Sequence, residues 1–208
     1  MAAYRTDFDE FQANTFVGTG FVLQNAGEIQ STGFEIDALA ILNEYFSFSG
    51  GAALVDAEYE SFLGGSCIRT PFGSSPDQAE PNFPTVCDAT GNRVDSTPEW
   101  TVYVSLIGEF EVGDGTLYSR LDVHSRDVNP SGTDNDPNKE GDAYTLTNFR
   151  VGYRFADGKY DLSLWAKNAL DEDYKNGAFN SVIREGSLSA YHTEPRTFGL
   201  TFRANFDY

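Results

Sequence analysis

Between Phe198 and Tyr208 the chain alternates without a break. Phe198, Leu200, Phe202, Ala204, Phe206 and Tyr208 are apolar, and the residues between them, Gly199, Thr201, Arg203, Asn205 and Asp207, are small or polar. Strict alternation is the period of a strand with one apolar face and one wet face. Seven further segments read as strands, over about 2–12, 28–41, 46–61, 98–111, 116–127, 143–155 and 159–170. The clearest apolar stripes are Trp100, Val102, Val104, Leu106 and Phe110 in the fourth, Phe149, Val151, Tyr153 and Phe155 in the sixth, and Tyr160, Leu162, Leu164 and Ala166 in the seventh. In the third segment the apolar parity switches near Val55, which predicts a β-bulge there.

The connections alternate in length. Asn43-Glu44-Tyr45, Val112-Gly113-Asp114-Gly115 and Ala156-Asp157-Gly158 are short turns, two of them with the Asp-Gly pair that tolerates positive φ. The others, over about 13–27, 62–97, 128–142 and 171–193, are long. Short turns at one rim and long loops at the other are the pattern of a transmembrane antiparallel β-barrel, with short periplasmic turns and long extracellular loops. Tyr45, Phe46, Trp100, Phe110, Tyr144, Phe155, Tyr160 and Tyr208 fall near strand ends, where amphipathic rings form the girdles of such a barrel.

Composition agrees with strands. Phe and Tyr number 17 and 11 against a single Met, a mix that suits a pleated surface. Mean hydropathy is −0.39, and no run of about 18 apolar residues exists, so a transmembrane helix is excluded. A barrel escapes that test because every second residue is polar. The net charge of −18 argues against a nucleic-acid partner, which needs a basic footprint. Much of the acidity lies in the long connections, as at Asp134, Asp136, Glu140 and Asp142, which on a bacterial surface would meet divalent cations.

Three stretches resemble the C-terminal barrel of the TonB-dependent outer-membrane receptors. Asn25-Ala26-Gly27 followed by Gly33-Phe34-Glu35-Ile36-Asp37 is similar to that family's N-A-G, spacer, G-x-E-x-E/D pattern. Asn168-Ala169-Leu170-Asp171-Glu172-Asp173-Tyr174 is similar to its N-L-F-D-x-x-Y, with Ala169 and Leu170 departing from the usual Leu and Phe. Pro195-Arg196 ahead of the terminal strand is similar to its P-R-x-aromatic ending, and Phe198, Leu200, Phe202, Phe206 and Tyr208 form the closing barrel signature. The resemblance covers the chain. It implies about eight C-terminal strands of a 22-stranded barrel that encloses an N-terminal plug. It also implies TonB-energised uptake of a scarce nutrient, most often a ferric siderophore. The partners would be outer-membrane lipid, the barrel assembly machinery and, through an N-terminal part, the TonB complex, in the outer membrane of a Gram-negative bacterium. The start, MAAYRTDFDEFQ, has no signal-peptide character and already reads as strand, so the expectation is the tail of a longer precursor, 1–208 being one barrel segment. The competing readings are a complete small eight-stranded barrel with a structural or adhesive role, and a secreted β-sandwich.

Candidate chemistry is sparse. Cys67 and Cys87 share the longest connection, and their even count amid Pro and Gly suggests a disulfide made in an oxidising compartment. Such a link would contribute roughly 3 kcal/mol in the chain-entropy model. The competing metal pair has no His near it. In the same connection Arg69, Phe72, Phe83 and Arg93 are candidates for ligand contact, or for packing the loop's own small core. Asp122 and His124 share a face of the fifth strand while Ser125 points away, so no catalytic triad is indicated and the expectation is no enzyme and no cofactor. A polar cluster of Asp122 and His124 with Tyr118 and Arg120 is expected instead. The run Asp134–Asp142 resembles a calcium loop but has Lys139 where Gly is needed, and it lacks the closing Glu. Asn168 and Asp171 are suited to ending a strand, and Arg196 to pairing with a lumen carboxylate or simply standing at the rim.

Overall fold

The structure, a computed structural model, describes residues 1–17, 20–25, 27–70, 73–74, 79–80, 83–181 and 187–206. Eight strands form one antiparallel sheet in chain order: β1 (Ala2–Asp9), β2 (Glu28–Ile41), β3 (Phe46–Ser61), β4 (Trp100–Val112), β5 (Gly115–Arg126), β6 (Tyr144–Phe155), β7 (Tyr160–Lys167) and β8 (Thr197–Ala204). These are the eight segments that the alternation predicts. Four of the strands, β1, β4, β6 and β7, end where the backbone turns into left-handed conformation. Glu10 (φ 53°) stops β1 before the expected residue 12, and Asn168 (φ 48°) stops β7 before residue 170. At the turn between β4 and β5, Val112 pairs with Gly115 and only Gly113 has positive φ, so glycine leads the turn. Between β6 and β7, Ala156, Asp157 and Gly158 all have positive φ.

The register puts like with like. One face carries Phe34, Ile36, Phe48, Leu54, Val102, Val104, Leu121, Phe149, Val151, Leu162, Leu164, Phe198, Leu200 and Phe202, paired row by row across the strands. Its side chains are largely exposed, Leu200 to 65% and Phe198 to 80%. Such a face is stable only against lipid or another apolar surface. The opposite face carries Glu35, Asp37, Tyr103, Ser105, Glu109, Arg120, Asp122, Asn148, Arg150, Arg154, Asp161, Ser163, Thr201 and Arg203. At the short-turn rim the apolar face ends in a belt of rings. Tyr45 stacks on Phe110 at 5.3 Å, Phe155 meets Tyr160 at 5.3 Å, and Tyr160 stacks on Phe202 at 6.0 Å. Of the predicted girdle residues, Tyr144 instead lies on the polar face, paired with Arg126, and Tyr208 is outside the described residues.

The bulge expected near Val55 is not there. β2 and β3 run in continuous register through Gly33–Val55 and Phe34–Leu54, and the irregularity sits higher, where Glu28 pairs with Ser61 and Ile29 with Tyr59. The parity switch has another cause. Up to Leu54 the even residues of β3 form the apolar face. Beyond it the even residues Asp56, Glu58 and Glu60 are exposed, while Val55, Ala57 and Tyr59 turn inward and Ala57 and Tyr59 are buried. The strand stays regular and its surroundings change: water replaces the apolar environment outside, and packed loop replaces the open polar face inside. There Ile29, Tyr59, Phe62, Ala89 and Ala13 form the buried apolar cluster, with Val94 against it.

On the polar face, aromatic rings lie across glycines on neighbouring strands: Tyr4 over Gly33, Tyr103 over Gly51, Tyr118 over Gly152 and Trp165 over Gly199. A Cβ at any of these glycines would collide with the ring. The glycines serve close approach.

The sheet is open. Among the described residues β1 and β8 each pair on one side only, so these strands do not close as a small eight-stranded barrel. Its accessible surface of 13047 Å² exceeds the roughly 9,600 Å² expected of a compact folded monomer of this mass, as an open sheet should.

Candidate functional site at the long-loop rim and polar face

The long connections are built, not slack. The first carries a hairpin, Gln12–Val17 with Gly20–Asn25, and the fourth another, Lys175–Asn180 with Leu188–His192. In the second, Cys67 and Cys87 form the predicted disulfide, with Cα atoms 5.1 Å apart, beside the short ladder of Gly65–Ser66 with Phe83–Cys87. The Gly65–Ser66 ladder was not legible, because a two-residue strand carries no periodicity.

The third connection, 127–143, ties its neighbours together. Toward the second loop, Thr133 Oγ1 accepts from Ser66 N at 2.9 Å and Thr133 O from Asn92 Nδ2 at 2.8 Å. Asn135 accepts from Arg93 N at 2.8 Å and donates back to Arg93 O at 3.0 Å. Toward the fourth, Ser131 Oγ donates to Ala178 O at 2.8 Å, Ala178 N to Lys139 O at 2.9 Å, and Lys175 N to Asp142 Oδ2 at 2.8 Å. Inside it, the Lys139 ammonium is ion-paired with Asp134, both side chains almost wholly buried. Burial pushes the Asp134 carboxyl above its ordinary value, against the pull of Lys139. Asp136 Oδ1 is taken by Asn138, through its backbone N at 3.0 Å and its side-chain Nδ2 at 2.9 Å. Asp134 and Asp136 of this calcium-like run are therefore engaged within the loop, and Asp142 by Lys175 of the next one.

Of the candidate ligand residues, Arg93 is half-buried and employed within the protein. Its guanidinium donates to Thr97 O at 3.1 Å and lies 3.5 Å from Glu99. Arg69 and Phe83 lie on short strands with only their backbone described, and Phe72 is outside the described residues.

Two of the sequence motifs meet at the rim. The buried Asn168 donates to Glu172 O (2.8 Å) and Glu194 O (3.2 Å), and its Oδ1 accepts from Glu172 N (2.8 Å). Asp171, also at positive φ, accepts from Arg196 N at 3.0 Å and pairs with its guanidinium at 3.6 Å. Arg196 thus answers the carboxylate of the preceding motif, not one on the wall.

The expected polar cluster on β5 forms with a different pairing. Arg120 Nε lies 2.9 Å from both oxygens of Asp122, whereas Tyr118 reaches Asp161 on β7 (2.9 and 3.0 Å) and His124 faces Tyr144 Oη at 3.3 Å. Ser125 bonds Thr145 Oγ1 on the other face, at 2.7 Å. Beside Arg120 and Asp122, a depression of about 530 Å³ opens on the polar face, lined by Asn148, Arg150, Trp165, Lys167 and Thr201. A second, of about 280 Å³, follows it toward the loops past Asn168, Tyr174 and His192. Sequence reading singled out Arg120, Asp122 and Asn168 but missed Asn148, Arg150, Trp165, Lys167 and Thr201. Their signal was the polar phase of β5–β8, which holds arginine and lysine where the rest of the chain holds acids.

A sheet with one apolar and one polar face, ringed by aromatics and capped by tied loops, is a sector of a transmembrane barrel wall. Residues 1–169 match the family model of the TonB dependent receptor-like β-barrel, and the chain belongs to that family. Similar solved structures include the ferric yersiniabactin uptake receptor FyuA from Yersinia pestis (TM-score 0.73, 19% identity, covering 99% of this chain and 27% of that one). The siderophore receptor PiuA from Acinetobacter baumannii follows (0.66, 18%, covering 96% and 24%). BauA, the ferric preacinetobactin receptor of the same organism, is similar over 96% of this chain and 26% of its own (0.62, 14%). The chain thus spans about a quarter of the length of these receptors. No curated protein matches it in sequence. Within this fold the apolar face is the lipid face and the polar face lines the lumen.

Proposed function

We propose that this chain is a wall sector of a TonB-energised outer-membrane receptor in a Gram-negative bacterium. It supplies lipid-facing barrel, lumen lining and extracellular ligand-binding loops for uptake of an iron–siderophore complex. The observation that carries this reading is the asymmetry of the sheet. An apolar face with ring girdle, a charged recessed face and loops locked over one rim suit a path for a solute too large to diffuse. Two free sheet edges call for further strands to complete the wall. Lipid, the assembly machinery that inserts barrels, and a TonB complex reached through an N-terminal part are the partners this role requires.

The test is growth and uptake in the source bacterium. Deleting the gene should abolish energy-dependent uptake of one ferric chelate under iron limitation, and inactivating TonB should have the same effect. Unchanged uptake of every iron chelate, with loss of growth on some other scarce nutrient, would move the cargo away from iron while leaving the transport role.

A further inference from the structure

In the third loop Asp134, Asp136 and Asn138 have the spacing with which a calcium loop presents its first oxygens, and Lys139 stands where such a loop needs glycine. The structure shows what the lysine does there. Its side chain folds back into the loop, only 4% exposed, and its ammonium pairs with the fully buried carboxylate of Asp134. Gly132 leaves the room for this: a Cβ there would stand 3.3 Å from Lys139 Nζ and 3.2 Å from Asp134 Oδ1. Asp136, the second acid of the pattern, is taken by Asn138. Among the described residues no group of three or more His, Cys, Asp and Glu side chains is placed to hold a metal ion. The buried negative charge is met by a cation carried on the same chain.

The pair closes the loop on which its neighbours hang. Thr133 and Asn135, on either side of Asp134, bind the second loop through Ser66 N, Asn92 Nδ2 and Arg93 N. Lys139 and the residue before it bind the fourth, through Lys139 O to Ala178 N and Asn138 O to Lys175 Nζ at 3.1 Å. Between the two sides runs one tight turn, which the Lys139 N to Asp136 O bond (2.9 Å) and the ion pair hold together. We propose that the Lys139 ammonium is the structural cation of the third loop, standing in for a divalent metal, so that the tie between the second, third and fourth loops needs no calcium. Extracellular calcium modules bind at about 10⁻⁴–10⁻³ M and empty when a chelator lowers the free ion. A cation tethered to the loop is not lost by dilution or chelation. Loops closed in this way keep their arrangement in a medium stripped of free divalent ions, whatever the cargo is.

The test is hydrogen exchange in the intact receptor that contains these residues, purified from outer membranes and followed in peptides over 62–97, 128–142 and 171–193. In the unaltered receptor, exchange in these loops should be the same in EDTA and in millimolar calcium. Lys139→Gly, which removes the butylammonium arm, should quicken exchange over 128–142 by roughly tenfold or more and carry the two neighbouring loops with it. Lys139→Met, which keeps the bulk without the charge, should do the same. Added n-butylammonium should slow the Lys139→Gly loops again, and the uncharged n-butanol should not. Faster exchange of the unaltered loops in EDTA would show that a metal holds them, and the proposal falls. It falls equally if Lys139→Met exchanges like the unaltered receptor, or if n-butanol restores Lys139→Gly as well as n-butylammonium does, because the lysine then fills space and its charge is idle. Quickened exchange over 128–142 alone, with both neighbours unmoved, would overturn the tie between the loops.

Discussion

At the scale of single residues, the fold relies on a few positions where one side chain leaves room for another. Gly152 sits under the Tyr118 ring, which in turn reaches Asp161. Gly152→Val should push that ring off its carboxylate and cost about 1–3 kcal/mol, as overpacking does. It would be read as a lower temperature at which the compact band of the assembled receptor is lost on a gel. Asn168 combines a left-handed backbone with three hydrogen bonds across the rim. Asn168→Ala should strain the backbone and strand Glu172 N, for about 1–3 kcal/mol. Hydrogen exchange should then quicken around 168–172 and at the start of β8. The glycine variant, which keeps the backbone free, should recover part of the loss.

At the scale of elements, the third loop is a keystone. Its Lys139–Asp134 pair is buried, and burying two charges is not by itself a source of stability. Removing one partner should be costly, about 3–5 kcal/mol for Lys139→Met, while the double replacement Lys139→Met, Asp134→Leu should be close to neutral. Protease nicking of the loops at 128–142 and 171–193 checks both: the single variant should be cut readily and the double should not. The disulfide acts on a neighbouring element. Reducing Cys67–Cys87 should loosen the second loop by roughly 3 kcal/mol and expose it to protease, with β3 and β4 unaffected because their ladder lies outside the closed loop.

For the whole molecule, the free edges of β1 and β8 dominate. A long apolar-faced sheet with two unpaired edges pairs with whatever strand it meets. Residues 1–208 refolded alone in detergent should therefore give edge-joined oligomers and no heat-modifiable monomer on an unboiled gel. A compact, protease-resistant monomer would show that the strands close on themselves.

The eight strands were legible because their pattern is local: a period of two survives in a sheet whose faces meet such different surroundings. Turn positions were legible too: Gly113 and the Ala156–Gly158 run take positive φ, and Asn43 Oδ1 accepts from Tyr45 N and Phe46 N. The Cys67–Cys87 link needed only a count. What the sequence did not carry was partnership. Val55 looked like a bulge because alternation reports a change of face and a change of surroundings in the same way, and the level at which water replaces the apolar environment is a property of the assembled wall. Arg196 could have answered any acid until the rim brought Asp171 to it. Arg150 and Lys167 were two polar positions among many until the register set Arg150 against Arg120 and the fold left Arg150 and Lys167 without a carboxylate among the described residues. Strand period is written between neighbours in the chain, whereas charge balance and loop locking depend on residues tens of positions apart, and only the folded sheet sets those distances.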